Sequence, residues 1–235
     1  MINGIILGIV AMLCFGTLEI FLKKVVMRLG TYSTVLYRGL LITLMLIAFA
    51  IINYNALAFS VPLIFLLSIT AVFGLTAFFS FTHSLTLGKI SIVSPVAHGA
   101  AVITVLLAAL FLKEPLTSFQ GFAILLIILG TVVVSFKWTE LKHLELHHLT
   151  KGIPYALLSF FTWGITMFLF KISIDKYGAL TPALLLDSFM FFFLLILVPF
   201  KTFPKPNKQE WKQLFLISLY QLLLLFPLLT DFLMD

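Results

Sequence analysis

Residues 4–30 read GIILGIVAMLCFGTLEIFLKKVVMRLG, and residues 152–178 read GIPYALLSFFTWGITMFLFKISIDKYG. Set 148 residues apart, the two stretches align without a gap. Gly4 meets Gly152, Gly16 meets Gly164, Lys23 meets Lys171 and Gly30 meets Gly178; the register continues to Leu36 and Leu184, and Phe15 meets Trp163. Apolar helices resemble one another by composition, but composition does not place three glycines and a lysine in common register. Five apolar spans lie between the starts of the two copies. An odd number inverts the second copy in a membrane. Inverted repeats are the architecture of many secondary transporters, with substrate held at the repeat interface.

Outward from these stretches, the chain is a series of membrane-length segments. A helix of about 20 apolar residues crosses the hydrocarbon layer. Seven segments meet that length: 4–22, 32–52, 62–87, 91–112, 117–136, 152–172 and 181–200. An eighth, 213–230, is marginal because it holds Gln221 and Pro227. The predicted fold is all-α, a polytopic helical membrane protein with two inverted repeats. Residues 1–136 form a first repeat of five transmembrane helices, and residues 152–235 an incomplete second repeat of two to three. Between them, 137–151 carries Leu141, Leu144 and Leu149 beside Lys and His and reads as an amphipathic interfacial helix.

Composition agrees. Of 235 residues, 62% are hydrophobic and 10% charged, and mean hydropathy is +1.18. Soluble domains are about a quarter charged, so a soluble globular protein, a disordered chain and a coiled coil are excluded. The net charge of +6 does not point to nucleic acid, because the basic residues sit between apolar runs as orientation signals. With the N-terminus outside, cytoplasmic loops hold 11 of the Lys and Arg residues and the other face holds 3. Only Met1, Ile2 and Asn3 precede the first span, without a basic leader or a small-residue cleavage site, so that span is a retained helix. The single cysteine, Cys14, cannot form an internal disulfide.

Charged groups inside hydrocarbon are costly and are functional candidates by default. Glu19, Arg38, His83, His98 and Asp187 fall within the spans. Counted from the nearest connections, the first four lie at similar depth from one membrane face, where they would line a single polar vestibule. Each also has a plainer reading. Glu19 and Lys23 are spaced i,i+4 and suit a same-helix pair. Arg38 suits snorkelling to the interface or an anionic substrate. His83 and His98 suit hydrogen-bonded core positions or a proton relay. Asp187, in the hairpin of the sixth and seventh spans, is a candidate for proton coupling.

Ser94-Pro95 opens the fourth span, and a proline there frees backbone carbonyls beside a cavity. Trp163 and Thr166 on the sixth span are candidates to face substrate, against a plain packing role. His143, His147 and His148 lack a spacing that fixes a third ligand, so no metal site is expected. No phosphate loop, nucleophile elbow or HExxH is present, and neither catalytic residues nor a cofactor are expected.

Several of these residues carry a resemblance to the EamA-type members of the drug/metabolite transporter superfamily. The first span, with Phe15-Gly16 near its middle, is similar to the usual opening of that family. Tyr37-Arg38-Gly39-Leu40-Leu41 resembles the start of its second helix. Ser94-Pro95 through Lys113-Glu114-Pro115-Leu116 to Gly130 resembles the helix, Glu-hairpin and helix that close each repeat. The stretch from Gly152 to Lys171 resembles the opening of the second repeat. The resemblance covers residues 4–200 and fades after about residue 212, where the chain runs to LLLLFPLLTDFLMD (222–235). It implies ten helices and an N-terminus inside, against the charge count. The expected function is a secondary transporter that moves a small metabolite or drug across the cytoplasmic membrane by alternating access, with proton coupling. Its expected partners are that substrate, protons, the lipid bilayer and a second copy of the chain. The competing expectation is a prematurely ended, non-transporting copy of such a carrier.

Overall fold

The computed structural model describes the backbone of residues 2–135, 151–197 and 203–233, with side chains at 16–131, 133, 151–197 and 203–223. The interfacial helix expected over 137–151 lies outside the described residues except for Lys151. Among the described residues the chain is helical, joined by short turns. The helices are α1 (Ile2–Ile52), α2 (Val61–Leu87), α3 (Ile90–His98), α4 (Ala100–Phe111), α5 (Ser118–Ser135), α6 (Ile153–Tyr177), α7 (Leu180–Leu197) and α8 (Lys208–Leu233). Gly30 folds α1 into two arms, 2–29 and 31–52, so each of the eight segments read from sequence is occupied by helix.

The turns have local causes. Gly30 has φ 78° and ψ 165°, and Gly178 has φ 72° and ψ 176°. Side chains other than glycine's are strained there, and both glycines sit where a helix must reverse. Ser60 caps α2 by accepting from Leu63 N–H at 3.3 Å, with Pro62 in the first turn. The span expected over 91–112 is two helices. Pro95 inside α3 cannot donate to the carbonyl one turn back, and the run breaks at Gly99. There a Cβ would meet the Phe160 ring at 3.0 Å. The marginal eighth segment is a full helix, α8, begun by a reciprocal capping box. Asn207 N–H donates to Glu210 Oε2 at 2.7 Å, and Glu210 N–H donates to Asn207 Oδ1 at 2.8 Å.

α2 is the central helix. It packs against α6, α7 and both arms of α1, with Leu63, Leu67, Phe81 and Leu85 fully buried. Close approach is set by Gly74, where a Cβ would lie 3.0 Å from Met190 Sδ and 3.3 Å from the Thr166 methyl. Hydroxyls enter this apolar core because they bond within their own helix: Thr70 to Leu66 O, Thr82 to Phe78 O and Thr162 to Leu158 O. The outer surface is apolar. α5 is the most peripheral helix, with Phe119, Phe122 and Leu125 exposed. Among the described residues, five segments are long and apolar enough to cross a membrane: Gly16–Ile52, Val61–Leu87, Ile90–Phe111, Ile153–Tyr177 and Leu180–Leu197.

The two ends of the bundle differ. At one end, the turn after α2 meets the start of α6. A Cβ on Gly152 would lie 3.0 Å from both Gly88 N and Gly88 Cα. The other end holds the α6–α7 turn at Gly178.

Candidate functional site

A cavity of about 600 Å³ lies at the centre of the bundle. The first arm of α1 contributes Leu18, Glu19 and Leu22, and the second arm contributes Arg38. Phe78 and Phe81 come from α2, and His98 from α3. α6 supplies Trp163, Met167, Phe170, Lys171 and Asp175; α7 supplies Leu186 and Asp187; α8 supplies Tyr220 and Gln221. The walls are mainly apolar and aromatic. Phe81 stands edge-on to His98 at 5.5 Å and to Trp163 at 6.0 Å between ring centres, and Phe78 to Trp163 at 6.4 Å.

Two polar clusters interrupt that wall. In the first, Glu19 is buried and accepts hydrogen bonds from the Ser94 hydroxyl and from His98 Nε2, both on α3. Glu19 is therefore joined to another helix rather than to Lys23. Lys23 Nζ instead donates to the carbonyl of Gly88 at 2.8 Å, tying α1 to the turn after α2. This replaces the expected i,i+4 pair, because Gly88 brings an otherwise exposed helix-end carbonyl within reach.

The second cluster surrounds Arg38. Snorkelling does not occur: the residue is only 8% exposed, because its guanidinium crosses the bundle instead of turning to the surface. Its Cζ lies 3.9 Å from the centre of the Phe78 ring, a cation–π contact. Nη2 donates to Gln221 Oε1 on α8, and Gln221 Nε2 donates to Asp187 Oδ2 at 3.4 Å. Arg38 and Asp187 are thus bridged by one neutral amide. Arg38 Nε is buried without a hydrogen-bond partner among the described residues.

The remaining candidates are distributed as follows. Ser94 reaches the cavity only through Glu19, and Pro95 shapes α3 above it. The Thr166 hydroxyl bonds to Thr162 O at 2.8 Å, and its methyl faces Gly74. His83 does not border the cavity. Its Nδ1 lies 3.4 Å from the Thr31 hydroxyl, and its ring stacks on Phe79 and meets Tyr155 edge-on at 4.5 Å. The expected shared vestibule of four residues therefore holds three, because His83 turns toward α6 outside the central space.

The direction of the space also differs from the expectation. It reaches Lys171, Ile174 and Asp175 in the last two turns of α6, toward the Gly178 end. At the Gly88 end the Lys23–Gly88 bond, the Gly88–Gly152 contact and the Arg28–Glu210 ion pair at 2.6 Å hold the helices together. Sequence reading missed Gln221, which counted only as a defect in the eighth span. A single amide in an apolar helix was the available signal. It also missed Lys171, which pairs with both Glu114 and Asp175 at 2.9 Å.

The sequence profile described as the EamA-like transporter family matches residues 2–136 and 150–233. The match runs beyond residue 212, where the resemblance read from the sequence faded. No curated protein matches the chain.

Proposed function

The chain belongs to the EamA-like transporter family, a multi-pass membrane transporter of the drug/metabolite type, and we propose that it carries a small metabolite or drug through the central cavity by alternating access. One observation carries this reading. Residues 148 positions apart border the same space: Glu19 and Met167, Leu22 and Phe170, Arg38 and Leu186. Two halves that present equivalent positions to one cavity are what a pair of inverted repeats around a shared substrate site would give. The left-handed glycines support the same division, since Gly30 and Gly178 are also 148 apart and reverse the chain with nearly equal angles.

In this reading residues 1–136 and 152–235 are the two repeats, and the membrane is the cytoplasmic one. The conformer is closed at the Gly88 end and extends toward the Gly178 end. Glu19 with His98 is the proposed proton-bearing pair, and Arg38 with Asp187 and Gln221 the proposed polar anchor for substrate. Trp163 belongs to the wall between them.

The test is flux into proteoliposomes under an imposed pH gradient, with a radiolabelled panel of amino acids, sugars and amphiphilic drugs. At least one compound is expected to accumulate above protein-free vesicles, and Glu19→Gln and His98→Ala are each expected to cut that flux at least tenfold. Unchanged flux in both variants would sink the site assignment, and no flux for any panel member would count against transport itself.

A further inference from the structure

A second recess lies on the outer face of the bundle. It is a groove of about 470 Å³ between the second arm of α1, α2 and α7, and among the described residues it shares no wall with the central cavity. All three walls belong to segments long and apolar enough to cross a membrane, and Tyr32, Val72 and Ile196 are exposed along its flanks. Bilayer lipid is therefore the medium at its opening.

The groove has an apolar end and a polar end. It follows α2 from Val72 to Ser80, about 12 Å at the helical rise per residue. The Val72 end is apolar in effect, because the Thr76 hydroxyl turns back to Val72 O at 2.8 Å and Phe193 closes the wall. The other end points toward Gly88. There the Tyr32 and Phe79 rings meet at 4.7 Å and the Thr31 hydroxyl lies 3.4 Å from His83 Nδ1, so the second arm of α1 begins level with this part of α2. Two hydroxyls stand at that end, those of Tyr32 and Ser80. Other hydroxyls of α2 bond within their own helix, Thr82 to Phe78 O and Ser84 to Phe81 O. The Ser80 hydroxyl has no hydrogen-bond partner among the described residues, although the residue is only 4% exposed. Its oxygen is not among the sealed atoms, which are Arg38 Nε, Ser159 Oγ and Ser218 Oγ, so it stays open to the groove that Ser80 lines. The Tyr32 hydroxyl also has no partner among the described residues. A hydroxyl left unpaired beside hydrocarbon is costly. Tyrosine favours the membrane interface, and that is the level at which a phospholipid carries its ester carbonyls.

We propose that this groove binds one acyl chain of a bilayer phospholipid, the chain lying along α2 toward Val72 and Phe193 and its ester carbonyl accepting from the Ser80 and Tyr32 hydroxyls. The site does not depend on what the central cavity carries. An ester suits it better than a free acid, because no positive side chain lines the groove among the described residues to meet a carboxylate.

The test is native mass spectrometry of the detergent-purified full chain titrated with three probes: dipalmitoyl phosphatidylcholine, its ether analogue di-O-hexadecyl phosphatidylcholine, and palmitate. The diester is expected to add one molecule per chain about tenfold more tightly than the diether, which keeps the headgroup and chains but lacks the carbonyls. Tyr32→Phe combined with Ser80→Ala is expected to bring the diester down to the diether level. Val72→Trp and Ile196→Trp fill the groove from exposed positions, and each is expected to weaken the diester at least tenfold while unfolding at the parental temperature. Equal binding of diester and diether to the parent, or a preference that survives in the double variant, overturns the ester contact. Diester binding unchanged in both tryptophan variants overturns the location. Tighter binding of palmitate than of the diester overturns the ligand class. A chain dimer that the tryptophan variants dissolve assigns the groove to a second copy and overturns the proposal as well.

Discussion

Substituting Gly164 tests the packing that walls the cavity. A Cβ at this position would lie 2.5 Å from Ile103 Cβ, 2.7 Å from Ile103 Cγ2 and 2.9 Å from the Ala100 carbonyl oxygen. Non-bonded carbons settle at about 3.5–4.0 Å, so in Gly164→Ala helix α4 must retreat by about 1 Å. Ile103 cannot give way by changing rotamer, because the nearest atom is its own Cβ. The retreat also stretches the bond from the Thr104 hydroxyl to Gly164 O, now 3.1 Å. Overpacking of this kind costs about 1–3 kcal/mol, against a gain of about 1 kcal/mol for replacing a helical glycine by alanine. The expected net loss is therefore about 0–2 kcal/mol from the parent, and about 1–3 kcal/mol relative to an unobstructed helical glycine-to-alanine change. Gly16, 148 positions earlier, is the internal control: a Cβ there meets nothing within 4 Å among the described residues. Gly16→Ala keeps only the propensity gain and is expected to leave stability unchanged or raised. Thermal unfolding in detergent, followed by tryptophan fluorescence and by retention on size exclusion, measures both. Equal stability of Gly164→Ala and Gly16→Ala would refute the α4–α6 packing described above.

Four further outcomes are expected. Gln221→Leu keeps the bulk but removes the bridge between Arg38 and Asp187, and should cost about 2–3 kcal/mol in the same unfolding assay; a neutral result would mean that the two charges reorganise without help. Asn207→Ala removes one half of the α8 capping box and should cost about 1 kcal/mol, whereas Arg28→Ala should cost at most about 1 kcal/mol, because the Arg28 side chain is 56% exposed where it meets Glu210. Single cysteines at Lys89 and Lys113 in a Cys14→Ser background report orientation: an impermeant maleimide added outside cells should label the Lys113 position and spare Lys89, as the charge asymmetry requires. The opposite labelling would place the N-terminus inside.

The helices were legible because apolar length is a one-dimensional property. Each of the eight expected segments carries helix, and the reversal at Gly30 stood in the sequence as a glycine beside a break between apolar runs. Partner choice was less legible. Glu19 and Lys23 look like a pair in sequence, since i,i+4 spacing is visible there, while Ser94, His98 and Gly88 become neighbours only when α3 and the turn before it fold against α1. Arg38 shows the same limit. A long basic side chain near a helix end can reach the interface, and only α8 supplies the Gln221 that holds it inside. His83 matched the depth of the other polar residues, but depth along a helix does not fix the angle around it, and its ring points to Thr31 and Tyr155.

The two proposed repeats agree where the backbone must turn and disagree where the cavity is polar. Gly30 and Gly178 share a left-handed conformation, and Lys23 and Lys171 both anchor a helix to a neighbouring element. At the cavity, the counterpart of Glu19 is Met167 and that of Arg38 is Leu186, while Asp187 answers Gly39. The first repeat therefore brings a carboxylate and a guanidinium, and the second brings apolar side chains at the equivalent positions plus one carboxylate displaced by a single residue, besides Lys171 and Asp175 toward the Gly178 end. Such a displacement turns a side chain by about 100° around a helix, which moves Asp187 off the position facing Arg38's own counterpart and toward Gln221, the amide that joins it to Arg38 across the cavity. A symmetric pair of arginines would repel, and a symmetric pair of glutamates would too. The divergence at 38/186 and 39/187 instead gives one compensated pair from two unequal halves. Moving the carboxylate back into register, as Asp187→Ala with Leu186→Asp, keeps composition nearly constant and tests whether register matters. The expectation is loss of the Gln221 bridge and a stability loss of about 2–3 kcal/mol, seen as earlier thermal unfolding, with Asp187→Asn as the milder control. A relocated carboxylate that preserved parental stability would mean that Arg38 is neutralised by the field of the cavity as a whole and that the single-residue offset carries no structural weight.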